Sequence, residues 1–165
     1  MALKTLEDAL HEELQDLLSA ETQISKALPK MAKKATNPKL VKAFETHAKE
    51  TEGHIERINQ AFELIGKKPK SKLCEATKGI LEEGASVMEE EADPDVMDAM
   101  LIGAAQKIEH YEIATYGTVC TWAETLGLDE LHDLLGETLD EEEETDDLLS
   151  ELAEAGINQD AIEEG

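Results

Sequence analysis

Between Leu3 and Met31 the apolar side chains recur at three- and four-residue steps, as Leu3, Leu6, Leu10, Leu14, Leu17, Ile24, Leu28 and Met31. Only a helix with one face in a core turns that spacing into a continuous stripe. Pro29 is expected to interrupt this helix near its end and bend it. Asn37-Pro38 then reads as a cap with proline at the first helical position, and opens a second helix on Leu40, Phe44, Thr51, Ile58, Ala61 and Ile65 that closes at Gly66. Two long helices joined by so short a link pack antiparallel.

After a basic, proline-containing linker (67–72) comes a shorter amphipathic segment, about Leu73–Glu91, with Ile80, Leu81, Val87 and Met88 as its apolar members. Asp93-Pro94 starts a third long helix on Met97, Leu101, Ala104, Ile108, Tyr111 and Trp122, which Gly127 ends. The last helix runs from about Asp129 to Ala155 on Leu131, Leu135, Leu148, Leu149 and Leu152, with Gly156 as its stop. The two hairpins align at an offset of 91 residues, Leu40 on Leu131 and Phe44 on Leu135. The stretch between them is too long for a tight turn and suits a crossover. The chain is therefore expected to be all-α: a ferritin-like four-helix bundle of two antiparallel hairpins joined by a long crossover that holds a shorter fifth helix. One domain covers 1–157, and 158–165 form a frayed tail.

Composition agrees. Hydrophobic residues make up 41% of the chain but aromatics only 3%, so the core must be built of aliphatic side chains that favour helix. The net charge of −24 is unevenly spread. Residues 1–78 carry 14 basic and 12 acidic side chains, whereas 79–165 carry 27 acidic ones against Lys107 alone. Phosphates would meet repulsion over half the surface, so neither nucleic acid nor an anionic membrane is an expected partner; the acidic surface either keeps the chain in solution or attracts cations. Met1–His11 lacks the apolar stretch of a cleaved leader, and no segment has the length of a membrane span. Cys74 and Cys120 have no metal-type spacing and read as small buried hydrophobes, which fits a reduced, cytoplasmic protein.

Against this background some carboxylates are misplaced. Glu21 fills an apolar position in the series Leu14, Leu17, Glu21, Ile24, Leu28, where an unpaired charge is costly. Glu50 borders the core position Thr51, with His47 and His54 one turn to either side. Glu21 lies fifteen residues before Thr36 and Glu50 fourteen after it, so both sit about 22 Å from the turn. The second hairpin repeats the count: Glu112 lies fifteen residues before Gly127 and Glu141 fourteen after, the offset partners of Glu21 and Glu50. Glu109 adds a carboxylate one turn from Glu112. Five glutamates would meet at one level, where like charges push their pKa values up. A metal pair resolves the conflict, and oxygen ligands with one or two histidines suit iron or manganese, two ions per chain. His47 and His54 are either ligands or plain hydrogen-bonded histidines. His110 is expected to point away from Glu109 and Glu112, and Tyr111, Tyr116 and Trp122 read as packing residues.

Four stretches carry a family resemblance: Ala20-Glu21 with Lys26–Lys30, His47–Gly53, Ile108–Ala114, and Glu137–Glu142. On these the chain resembles the YciE/YciF family of ferritin-like stress-response proteins over residues 3–155. The resemblance implies a ferritin-like fold, a homodimer, and a link to bacterial stress. In the wider superfamily two metals are held by a Glu on each odd helix and Glu-x-x-His on each even one; Glu21, Glu50, Glu112 and Glu141 match those glutamates by position, with Glu50 and Glu141 as bridges. The histidines do not match, because Gly53 follows Glu50 by three residues and Glu144 follows Glu141 by three. Either His47 or His54 substitutes from another turn, or metal binding has been lost. Three functions follow: a di-metal carboxylate protein for ferrous oxidation or peroxide chemistry, a metal-free bundle with a structural or interaction role in the stress response, and a cation buffer that uses the acidic surface alone.

Overall fold

The computed structural model describes residues 3–162. Helix α1 (Leu6–Lys34) opens on a capping box, in which Thr5 Oγ1 accepts from the Asp8 N–H and Asp8 accepts from the Thr5 N–H. It continues through Pro29 without interruption, because Leu28 and Met31 are buried on either side of the proline and hold the last turns against the core. Asn37 caps α2 (Pro38–Leu64), its side chain accepting from the N–H groups of Lys39 and Leu40. The turn between them is pinned from outside. Buried Asp98 accepts from the Thr36 N–H (2.8 Å), the Thr36 hydroxyl (2.8 Å) and the Asn37 N–H (2.7 Å).

Helices α2 and α4 (Pro94–Thr125) end alike. Gly66 and Gly127 take φ of 67° and 70°, a left-handed conformation open to glycine, and in each case two N–H groups fold back onto the last carbonyls. Between the hairpins lies α3 (Glu75–Glu89), and α5 (Asp129–Leu152) completes the second hairpin. A wide turn at Ala153–Ile157 and a single helical turn, α6 (Asn158–Asp160), follow. In the expected tail, Asn158–Asp160 are thus helical, Ile162 is exposed, and 163–165 lie outside the described residues, as do Met1 and Ala2.

The helices form a closed ring: α1 packs on α2, α2 on α5, α5 on α4, and α4 on α1. The crossover helix α3 lies over α4 and α1, so that side is covered, whereas no helix of the described residues lies over the α2–α5 side. The all-helical, one-crossover bundle read from the sequence is the observed architecture. Leu3 and Leu148, assigned to the apolar stripes, are instead exposed, whereas Leu149, assigned with Leu148, is buried. Both cysteines are buried and unpaired.

The apolar core comes in two halves. One gathers Ile24, Leu28, Leu40, Phe44, Leu101 and Leu149; the other Leu14, Leu17, Ile58, Phe62, Val119 and Leu135. What separates them is a layer of buried polar residues contributed by all four long helices.

Candidate metal centre

The stripe periodicity sets the membership of that layer. On α1 it runs Leu10, Leu14, Leu17, Glu21, Ile24, Leu28; on α2 Leu40, Phe44, His47, Thr51, His54, Ile58; on α5 Leu131, Leu135, Thr138, Glu142, Thr145, Leu149. All are at most 9% exposed. Helix α4 adds Glu109 and Glu112, one turn apart on the same face. The layer therefore holds four carboxylates and two imidazoles away from water.

These six side chains form two groups that share one member. Ligand atoms of His47, Glu109, Glu112 and Glu142 lie within 4.8 Å of one another, and so do those of Glu21, His54 and Glu142. Around a metal with bonds near 2.1 Å, neighbouring ligand atoms stand roughly 3–4 Å apart, so both groups are near that scale. Glu142 belongs to both: its Oε2 is 3.5 Å from His47 Nε2 and its Oε1 3.0 Å from His54 Nδ1. His47 Nε2 also approaches Glu109 Oε1 at 3.1 Å, and His54 Nδ1 approaches Glu21 Oε1 at 3.4 Å.

Several of these contacts have ion-pair distance without hydrogen-bond alignment. Eight buried atoms of the layer have no hydrogen-bond partner among the described residues: Glu21 Oε2, His47 Nε2, His54 Nδ1, Glu109 Oε2, and both carboxylate oxygens of Glu112 and of Glu142. An unpaired buried polar atom costs about 1–3 kcal/mol, so eight in one place call for a common partner. One oxygen of Glu21 is satisfied, by the hydroxyl of fully buried Tyr116 on α4.

Titration follows the crowding. Burial, reinforced by Glu142, Glu21 and Glu109, holds the Glu112 carboxyl well above the ordinary range. Burial lifts Glu142 to about 7 although His54 and His47 oppose it. Burial alone would lower both histidines, yet the carboxylates outweigh it: Glu109, Glu50 and Glu142 raise His47 well above 6.5, and Glu142 and Glu21 raise His54 to about 10. Without a metal, Glu112, Glu142 and both imidazoles therefore hold their protons more tightly than the free side chains do.

Of the residues singled out in the sequence, Glu21, Glu109, Glu112, His47 and His54 meet in this layer. Glu50 and Glu141 reach its level but stand at its rim, with side chains 37% and 31% exposed. Each is one residue off its stripe, a rotation of about 100° around the helix, and each meets the outer nitrogen of a histidine: Glu50 with His47 Nδ1 at 3.5 Å, Glu141 with His54 Nε2 at 2.8 Å. Glu141 is also gripped by Arg57, which keeps its carboxyl below the usual range. Glu142 escaped the count from the turn because it sits inside the acidic run Asp140–Glu144. The signal that finds it is the four-three alternation from Leu131 to Leu149. His110 points outward, as expected, and pairs with Asp146 at 3.1 Å.

A one-crossover helical bundle split at mid-height by a buried acid–histidine layer is the class that fold and site define. The chain belongs to the family described as a domain of unknown function (DUF892), whose profile matches residues 5–162. It is 47% identical to Protein YciF of Escherichia coli (strain K12) over 162 residues, 98% of each chain. The crystal structure of the E. coli stress protein YciF superposes with a TM-score of 0.91, over 94% of this chain and 99% of that one. YcfI from Rhodopseudomonas palustris, described as a candidate structural protein, is 43% identical with a TM-score of 0.87, over 89% and 94% of the two chains. A protein from Xanthomonas campestris pv. campestris, 24% identical with a TM-score of 0.74 over 92% and 93%, has the same fold. The resemblance to the YciE/YciF family thus holds over nearly the whole chain. Among the described residues, no helix is long and apolar enough to cross a membrane.

Proposed function

We propose that this chain is a ferritin-like stress-response protein that binds two iron or manganese ions in its mid-height layer, for ferrous oxidation or peroxide chemistry. The observation that carries the reading is the set of eight buried, unpartnered ligand atoms. Hard carboxylate oxygens with two imidazole nitrogens suit iron or manganese. His47, Glu109 and Glu112 would hold one ion, Glu21 and His54 the other, and Glu142 would be shared. When bound, the pair supplies one-electron redox steps to O2 or a peroxide.

The protein's own contributions are definite. The apolar halves above and below the layer exclude bulk water. Tyr116 orients Glu21 through its hydroxyl. The raised proton affinity of His47, His54 and Glu112 competes with a cation, so loading should be favoured as pH rises. The family resemblance extends the reading to a homodimer in the cytoplasm, which sedimentation of the purified protein and fractionation of cells would check.

A second reading is favoured by the histidine–carboxylate contacts themselves, 3.0 Å for His54 with Glu142 and 2.8 Å with Glu141. They neutralise much of the layer without any metal, in keeping with a structural role such as that ascribed to YcfI. Metal analysis separates the two. Protein purified without chelator should carry about two iron or manganese ions per chain, and Glu21→Ala with Glu112→Ala should abolish them. Wild-type protein that stays metal-free after anaerobic incubation with either ion would leave the structural reading standing.

A further inference from the structure

The rim residues touch one nitrogen of each histidine while the other nitrogen faces the layer, and the two rims are built differently. On the His54 side the contact is tight and anchored. Glu141 Oε2 lies 2.8 Å from His54 Nε2, and the same carboxylate receives two hydrogen bonds from Arg57, at 2.8 and 2.7 Å. Arg57 is in turn fixed by Thr138 Oγ1 at 3.2 Å and by Glu137 at 3.3 Å, and its side chain is only 20% exposed. On the His47 side, Glu50 and Thr145 stand at 3.5 and 3.4 Å from Nδ1, and no cation grips Glu50 among the described residues.

A carboxylate clamped by a guanidinium can only accept hydrogen bonds. A hydrogen of His54 must then sit on Nε2 whether or not Nδ1 is protonated, so Nδ1, which faces Glu21 and Glu142, is the ring atom free to exchange its own proton for a metal. We infer that Arg57 and Glu141 are a positioning pair that locks the His54 ring, fixing Nδ1 as its inward, ligating atom. Outer partners of this kind commonly set the orientation and basicity of a metal-bound imidazole. The inference rests on the two-metal reading for its purpose, but the ring orientation itself is a property of the metal-free protein. It also makes the two halves of the layer unequal: His54 is held rigidly, and His47 is left freer to adjust.

Two measurements test it. In metal-free protein carrying nitrogen-15-labelled histidine, the Nε2–H proton of His54, assigned through its loss in His54→Gln, should appear downfield and exchange slowly with solvent. Glu141→Ala should remove that protection, whereas Glu141→Gln, whose carbonyl still accepts, should largely restore it. Arg57→Ala should weaken it, and gives a readout should Glu141→Ala fail to fold. Glu50→Ala, on the looser rim, should leave it unchanged. In a cobalt(II) titration, Glu141→Ala should bind about 10–100-fold more weakly than wild type. A protected His54 proton and cobalt affinity within about twofold of wild type in Glu141→Ala would overturn the positioning role. Wild-type protein that takes up no cobalt would instead overturn the two-metal reading, while the exchange measurement still decides how the ring is held.

Discussion

Tyr116 and Glu142 show how much one residue decides in this layer. The Tyr116 hydroxyl is the sole hydrogen-bond donor aligned on Glu21 among the described residues. Tyr116→Phe leaves a second oxygen of that carboxylate unpaired and should destabilise the metal-free protein by about 1–3 kcal/mol. In metal-loaded protein the loss should be smaller, because a cation then takes the lone pairs; paired denaturant curves with and without metal check both. Glu142 and His54 share a different signature. Their folded pKa values, about 7 and about 10, stand above the unfolded 4.5 and 6.5. The folded state therefore holds more protons than the unfolded one, and stability must fall as pH rises. The contribution of Glu142 is complete below about 4.5 and is lost through about 7; that of His54 is complete below 6.5 and is lost through about 10. Glu141 acts the other way, since its carboxyl is lowered and its contribution vanishes only in stronger acid. Thermal melts in chelator should thus show metal-free protein more stable at pH 6 than at pH 9, with metal affinity changing in the opposite direction.

At the level of elements, the helices were legible because three- and four-residue steps, Asn37-Pro38, Asp93-Pro94 and the two closing glycines are all local signals. Pro29 was the exception, since packing of Leu28 and Met31 decides whether the last turns of α1 survive, and packing is not local. The site was legible on α1, where Glu21 interrupts an apolar series, and on α4, where the count back from Gly127 reaches Glu112. It was blurred on α2 and α5, because counting residues from a turn fixes height along a helix but not the direction of a side chain. Only the stripe phase does that, and it selects His47, His54 and Glu142 over Glu50 and Glu141. The role of Asp98 could not be read at all: nothing near it in the chain says that it caps a turn 61 and 62 residues away. Asp98→Ala removes the side-chain acceptor of the Thr36 and Asn37 N–H groups and should cost about 1–3 kcal/mol. The layer lies some turns away, so metal content per folded chain should not change. Chemical denaturation combined with metal analysis separates the two effects.

For the molecule as a whole, the layer is a weakness placed at the centre of a good core. Two apolar halves that could have met are held apart by four carboxylates and two histidines. Buried ionic clusters are often less stable than apolar residues of similar volume, so the metal-free bundle should be the weaker form and a ligand should restore the difference. Manganese(II) or iron(II) supplied without oxygen at about 100 times its Kd should add about 2.7 kcal/mol. For a chain of 165 residues that amounts to roughly 5–11 °C in Tm. Glu21→Met with Glu112→Met makes the layer more apolar at nearly constant volume. It should gain about 1–4 kcal/mol over metal-free wild type and lose all response to metal. The two outcomes must come together if the layer exists to hold a cation. A double variant that is less stable than metal-free wild type would mean that the protonated acid–histidine network is itself what holds the halves together, and the bundle would then be read as a structural protein.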